Sequence, residues 1–307
     1  MTSTKVSVVL TTYNGMRYLK PLLDSLRNQT RKINEVLICD DGSTDGTREY
    51  IVQYISEYGL TDWKPKWNKE NYGWMKNFRI GIQTCEGDLI FPCDQDDIWS
   101  QNKIQRMTEI MEKDKSILLL SSDYTALYED GGNKVDEYDG HQASNPLERV
   151  QFGPRFALHE RPGCVMGIRK ELVDKTRNLW KDWYPHDAFI WTVANLFDGC
   201  CLIHEPLINY RRHDSNASTG SQHVVAAQVN SIKRTLDIID WRCEQKEPVE
   251  SERMQVFSDY RKFAALRLGL LNERKVKNWF KLLAYSRFYR SQRQLFGDWY
   301  YLLRKNS

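Results

Sequence analysis

Between residues 6 and 120 the chain alternates between two kinds of segment. Short apolar, often β-branched runs recur at Val6-Ser7-Val8-Val9-Leu10, Val36-Leu37-Ile38-Cys39, Asp88-Leu89-Ile90-Phe91 and Ile117 to Leu120. Between them apolar residues fall at helical spacing: Leu19, Leu22, Leu23 and Leu26; then Tyr50, Ile51, Tyr54 and Ile55; then Trp74 to Ile82; then Ile104, Met107, Ile110 and Met111. Trp63 to Trp67 reads as one more short strand. Strand and helix in strict turn imply right-handed βαβ units, hence an α/β fold with a mostly parallel sheet flanked by helices. Ligands in such sheets bind at the carboxyl ends of the strands. That rule selects three stretches, Thr11 to Gly15, Asp40 to Thr47 and Cys93 to Trp99.

The alternation stops after Tyr128. Glu129 to Asn145 is polar and aperiodic, a loop long enough to act as a lid or acceptor loop. Val165 to Ile168 reads as a strand that runs into a helix from Lys170, and His186 to Phe197 as an apolar helix. Cys201-Leu202-Ile203 and Leu207 to Tyr210 read as paired strands divided by Glu205-Pro206. From about Val224 the pattern is helical. At 307 residues the chain is long enough for one large domain or two. We divide it into a sheet domain over 1–220 and a helical, basic and aromatic region over 221–307.

The formal net charge of +3 argues against bulk nucleic-acid binding. The charge is uneven, however. Residues 261–307 hold twelve basic and two acidic residues with ten aromatics, a local +10 against −7 for the rest. The seven cysteines show no metal-ligand spacing and several lie in apolar runs, which reads as buried free thiols in a reducing compartment. The first residues lead straight into a strand, unlike a signal peptide, and no run approaches the ~18 apolar residues of a membrane span. The reading is therefore a cytoplasmic protein.

Two acidic clusters follow apolar strands. Asp40-Asp41-Gly42-Ser43-Thr44-Asp45 offers acceptors for a base or ribose, or is simply a turn that caps the next helix. In Asp94-Gln95-Asp96-Asp97 three carboxylates in four residues repel unless a cation or donors neutralise them. Oxygen ligands on one short loop suit Mg²⁺ or Mn²⁺. A third position, Tyr184-Pro185-His186-Asp187, precedes a helix and reads either as an N-cap or as a catalytic carboxylate. A fourth, Tyr210-Arg211-Arg212-His213, follows the last strand.

In this order and spacing the segments resemble family 2 glycosyltransferases. The opening Val6 to Gly15, Asp40 to Asp45, Asn71-Tyr72-Gly73 with Asn77 and Gly87, and Asp94-Gln95-Asp96-Asp97-Ile98-Trp99 match that family's successive motifs. The last has the form common in bacterial rhamnosyltransferase-like members. The resemblance spans roughly residues 5–215 and implies a GT-A, Rossmann-like domain that binds a nucleotide-diphospho-sugar. Carried over residue by residue, it implies that Thr11 and Tyr13 line the base pocket and Asp40 accepts from the base N–H. It puts Asp94 near the ribose and makes Asp96 the main ligand of a Mn²⁺ or Mg²⁺ ion. It makes Asp187 the general base, with His186 orienting it or touching the acceptor. His213 would reach the metal or diphosphate, and one of Arg211 and Arg212, taken as Arg212, would pair with phosphate. Asn14, Asp41, Asn77 and Asp97 would support these groups.

The implied enzyme is a metal-dependent inverting transferase that uses dTDP-rhamnose or a UDP-hexose and a glycan acceptor, as in cell-surface polysaccharide assembly. A sugar nucleotidyltransferase would need a Gly-rich basic loop after the first strand, which Thr11 to Gly15 is not. A catalytically dead nucleotide-sugar-binding scaffold would lack the carboxylates that are present. The basic, aromatic tail over 261–307 suits the inner face of an anionic membrane, a solvated helical cap or a homodimer contact. A membrane site would fit a polyprenyl-diphosphate-linked acceptor.

Overall fold

A computed structural model describes residues 4–128, 146–212 and 224–303. The chain divides into two compact units, 1–150 with 160–219, and 151–159 with 220–307.

The first unit is built on one sheet. β1 (Val6–Thr12), β2 (Glu35–Asp40), β3 (Trp63–Trp67) and β4 (Leu89–Cys93) form its parallel half in the order β3-β2-β1-β4. β1 and β2 are buried at every position, as expected of strands covered on both faces. α1 (Met16–Arg27), α2 (Thr47–Tyr58) and α3 (Trp74–Thr84) make the connections. α1 buries Leu19, Leu22, Leu23 and Leu26, the row given by its apolar spacing. Residues of α4 (Lys103–Lys113) join the same core through Ile104, Met107 and Met111.

The other half of the sheet is mixed. β8 (Met166–Arg169) lies antiparallel between β4 and β6 (Leu119–Tyr128). β9 (Cys200–Arg212) runs parallel to β6, and the short β5 (Ile98–Trp99) and β7 (Leu147–Arg149) pair antiparallel with β9. The sheet is thus wholly parallel from β3 to β4, and in the other half only the β6–β9 pair is parallel. Where two paired strands were expected, residues 200–212 form one strand. Pro206 lacks a ladder N–H, and β9 takes up the irregularity as register shifts opposite Ser122, Asp123 and Thr125 instead of turning back. This matters for the site, because an unbroken β9 carries Arg211 to the loop that follows β4. The segment 129–145, read as a lid or acceptor loop, lies outside the described residues.

α5 (Lys170–Thr176) and α6 (His186–Leu196) complete this unit. α6 is buried from His186 through Leu196 except at Asp187, so one carboxylate stands at the mouth of an apolar helix.

The second unit holds α7 (Val224–Glu244), α8 (Ser251–Glu273), α9 (Val276–Leu282) and α10 (Gln292–Leu303), with a 3-10 turn over Leu283–Phe288. The segment 151–159 joins it through Phe152 and Phe156, whose rings pack on Phe257. All seven cysteines are free thiols, and only Cys243 is exposed.

Candidate active site at the carboxyl ends of the parallel strands

The loops after β1 and β2 are sewn together. Thr12 and Asp40 face each other in the β1–β2 register, and Thr12 Oγ1 donates to Asp40 Oδ2 at 2.8 Å. Asn14, at φ +47°, accepts from the Thr44 N–H at 2.8 Å and donates its own N–H to Ser43 Oγ at 2.9 Å. The N–H groups of Gly15 and Met16 donate to Thr47 Oγ1 and Asp45 Oδ2. Tyr13 stands out of this seam with its ring 48% exposed, whereas Thr11 is buried.

Asp40 is enclosed completely. It accepts from Thr12 Oγ1, the N–H groups of Gly42 and Ser43, Ser43 Oγ and Arg48 Nε. Burial alone would push its carboxyl up, but the Ser43 and Arg48 contacts outweigh it and hold the carboxyl below its ordinary value. The sequence reading makes Asp40 the acceptor of a base N–H. Its lone pairs are already occupied, and a base would have to displace a donor. Without a ligand, Asp40 ties the loop after β2 together through these bonds. Asp41 accepts from Asn68 Nδ2 and from the N–H groups of Tyr72 and Gly73. Asn77, also buried, ties Asn68 to the Cys39 carbonyl.

The second acidic loop is built in the opposite sense. Gln95 is its clamp. Its Oε1 accepts the Tyr13 N–H at 2.8 Å, and its Nε2 donates to the Tyr13 carbonyl at 3.1 Å. A Cβ at Gly15 would overlap that amide, which explains the glycine there. From the other side Arg211 donates its N–H to Asp97 Oδ1 at 3.3 Å and its Nε to the Asp96 carbonyl at 3.0 Å.

The carboxyls of Asp97 and Asp94 sit in a different setting from that of Asp40. Asp97 is fully buried and its Oδ2 has no hydrogen bond among the described residues. Burial and the charges of Asp94 and Asp96 push its carboxyl well up. Asp94, half-buried, is pushed up to about 7 by burial first, then by the charges of Asp96 and Asp187. Beneath the loop, Lys103 is buried, donates to the Cys164 carbonyl at 2.6 Å and lies 3.5 Å over the Trp99 ring. Burial lowers its ammonium to about 8. Buried carboxylates with an oxygen left unbonded, as at Asp97, could hold a cation.

Oxygens of Asp94 and Asp97 and the Cys164 sulfur lie within 4.8 Å of one another. Burial and the neighbouring Asp97 and Asp94 push the Cys164 thiol far above its usual range, so without a metal it is a neutral thiol and the weaker ligand of the three. The remaining set is carboxylate oxygen, which fits a hard divalent ion. Exposure ranks the three: Asp94 is half-buried, Asp96 8% exposed and Asp97 wholly buried, so Asp97 stands behind the other two.

Asp187, in the first turn of α6, is brought to this loop, since its charge is one of those acting on Asp94. His186 is buried, stacked on Phe78 at 4.1 Å between ring centroids and edge-on to Trp74 at 6.3 Å. A Cβ at Gly163 would collide with its ring. The His186 ring therefore fixes the start of α6 and with it Asp187. Arg212 was taken as the phosphate partner, but Arg211 is the arginine tied to the acidic loop. Arg212 lies 4.9 Å over Tyr210 and reaches Tyr124 Oη at 3.5 Å. His213 lies outside the described residues. Trp180 is core, stacked on Phe189 at 4.7 Å. Lys103 and Arg48 are absent from the sequence reading, and Gln95 enters it only inside the Asp94-Gln95-Asp96-Asp97 motif, with no role of its own. A glutamine between aspartates reads as filler, and nothing in a sequence places its amide on a loop 82 residues away.

The sequence profile of glycosyl transferase family 2 matches residues 7–177. Glycosyltransferase GlyG of Streptococcus pneumoniae is 30% identical over 234 residues, 75% of this chain and 69% of its own. An uncharacterized glycosyltransferase of Nostoc sp. is 27% identical over 240 residues, 74% of this chain and 69% of its own. Among solved structures, Staphylococcus aureus TarS in complex with UDP-GlcNAc has a TM-score of 0.64 at 16% identity, covering 98% of this chain and 82% of that one. The mannosyltransferase PcManGT of Pyrobaculum calidifontis, in complex with GDP-Man and Mn²⁺, has a TM-score of 0.58 at 14% identity, covering 98% and 86%. These two share the fold.

Proposed function

The chain belongs to glycosyl transferase family 2, and from that premise we propose that it transfers a hexosyl group from a nucleotide-diphospho-sugar to a glycan hydroxyl with inversion. The observation that supports this reading is that Asp187, at the start of α6, comes close enough to the Asp94–Asp97 loop for its charge to raise Asp94, while Asp97 Oδ2 in that loop has no hydrogen bond among the described residues. A base for the acceptor thereby stands beside the place where a diphosphate would be held.

Tyr13, exposed at the end of β1, offers its ring to the nucleotide base beside Thr11. Asp94 and Asp96 would hold a Mn²⁺ or Mg²⁺ ion, whose charge offsets the negative charge that develops on a nucleoside diphosphate as it leaves. Gln95 and Arg211 keep that loop in register with the β1 loop. Arg212 and His213 remain assigned to the diphosphate side. The acceptor oxygen forms a bond to the anomeric carbon as the bond from that carbon to the diphosphate oxygen breaks. The hydroxyl proton passes to an Asp187 carboxylate oxygen. One displacement inverts the anomeric centre, and general-base help of this kind contributes ~10²–10⁴-fold. dTDP-rhamnose and UDP-hexoses are the donors proposed, with a polyprenyl-diphosphate-linked glycan as the acceptor.

The test is donor binding and hydrolysis across UDP-, dTDP- and GDP-sugars, with and without Mn²⁺ or Mg²⁺. Metal-dependent turnover of one donor, lost in Asp187→Asn with donor binding kept, supports the reading. Binding without turnover of any donor would favour the scaffold alternative. Release of pyrophosphate from a nucleoside triphosphate and a sugar phosphate would favour a nucleotidyltransferase.

A further inference from the structure

The second unit presents an apolar surface that its own core does not use. Val276, Phe280 and Leu283 recur at i, i+4 and i+7 along α9 and into the turn after it, and are 47%, 59% and 44% exposed. Phe296 and Tyr300 form a second row at i and i+4 on α10, 55% and 61% exposed. Trp279 joins the rows. Its ring centroid lies 5.4 Å from Phe280, 6.2 Å from Phe296 and 4.7 Å from Trp299, and Phe280 is 5.9 Å from Trp299. The platform is firmly mounted, because Trp279 Nε1 donates to the Leu295 carbonyl at 3.0 Å. Behind it Asp298, buried, accepts from Arg267 and Tyr289.

The charge around these rows is mostly basic, with Glu273 paired to Lys275 and Asp259 to Arg287. Residues 274–303 contain seven Lys and Arg and a single acid, Asp298, which is the buried partner of Arg267. Lys277, Lys281 and Arg293 are exposed, alternate with the apolar rows and form no ion pair among the described residues. A protein partner of mixed charge would leave these cations unanswered. A continuous anionic plane with apolar material just beneath it answers both the cations and the rings. No described helix is long and apolar enough to cross a membrane, so the contact is one of lying on the surface.

We propose that α9 and α10 dock this unit onto an anionic phospholipid bilayer. Phe280, Leu283, Phe296 and Tyr300 enter the headgroup and acyl boundary while Lys277, Lys281 and Arg293 meet lipid phosphates. This inference stands apart from the transfer reaction, and its test needs no turnover.

The test is flotation of the full chain with vesicles of phosphatidylcholine alone, and with vesicles of phosphatidylcholine and phosphatidylglycerol in equal parts. The expected result is binding to the mixed vesicles, weakened by high salt, with little binding to phosphatidylcholine. Phe280→Ser with Phe296→Ser should weaken binding about tenfold or more, since each ring removes a buried apolar group from the interface. Lys277→Glu with Lys281→Glu should weaken it similarly and flatten the salt dependence. Both pairs are exposed, so an unchanged melting temperature shows that they fold. A wild-type chain that fails to float with the anionic vesicles overturns the proposal, as do variants that float like the wild type. Equal binding to both vesicle types also overturns it. So does a wild-type dimer that the ring substitutions split without touching flotation, which would assign the surface to a second copy of the chain.

Discussion

Two acidic loops stand at the ends of β2 and β4, one on each side of β1, and share a composition, yet their electrostatics are opposite. After β2, Asp40 is surrounded by donors and its carboxyl is held below the ordinary value. After β4, Asp97 Oδ2 has no hydrogen bond among the described residues, and the carboxyls of Asp94 and Asp97 are pushed up, Asp94 to about 7. A carboxylate that the chain satisfies itself is part of the scaffold. A carboxylate set that the chain leaves unsatisfied carries a folding cost that a bound cation removes. The donors that reach Asp40 but not Asp97 Oδ2, rather than the number of acids, set the loop after β2 apart from the loop proposed to hold the ion.

The sharpest test of this division is catalytic. Asp187→Asn and Asp96→Asn should each lower donor turnover by ~10²–10⁴-fold with the fold intact. Asp40→Asn should act on stability instead. It leaves Arg48 and the Ser43 loop facing a neutral amide, and breaking a buried pair costs about 3 kcal/mol or more. Denaturant unfolding of the three variants checks the contrast. Loss of stability in Asp96→Asn equal to that in Asp40→Asn would erase it.

The two loops also predict opposite pH slopes. Asp40 has a lowered folded pKa, so its contribution is present above the ordinary carboxylate value of 3.8 and is lost as pH falls through the folded pKa. Asp94 has a raised one. Between 3.8 and about 7 the native loop binds more protons than the unfolded chain, so metal-free stability falls as pH rises through that window. Proton and metal ion then compete for one loop. Mn²⁺ should raise the melting temperature clearly at pH 8 and little at pH 5. Asp94→Asn should flatten the metal-free slope and raise melting at pH 8 by ~2–4 °C, the shift that about 1 kcal/mol gives in a domain of this size. An equal Mn²⁺ effect at both pH values would break the comparison.

Legibility followed the same line. The β3 to β4 half of the sheet was readable because each strand is a buried apolar run and each connection a helix with one apolar stripe. The β6 to β9 half was less so. Pro206 with Glu205 looks like a turn, and only pairing with β6 shows that the strand bulges and continues. The positions of the site were legible too, since acids after apolar strands mark the strand ends. Their states were not. Whether an aspartate is satisfied depends on donors such as Arg48, or the backbone of Tyr72 and Gly73, that reach it from other segments.

Gln95 gives the subtlest test, because it sits in the working loop but belongs by its bonds to the scaffold. Its amide makes two hydrogen bonds, both to the Tyr13 backbone among the described residues. Gln95→Ala leaves both Tyr13 groups to water at an exposed position, so stability should fall by only about 1 kcal/mol. The larger consequence is positional. Tyr13 belongs to the proposed base site and Asp94 and Asp96 to the proposed metal site, so freeing one loop from the other should loosen the donor at both ends. Donor KM should rise several-fold while metal-dependent stabilisation at pH 8 is kept. Gly15→Ala, whose methyl would push the same amide aside, should shift donor KM in the same direction. A fall in metal binding with unchanged donor KM would instead place Gln95 among the groups that hold the ion.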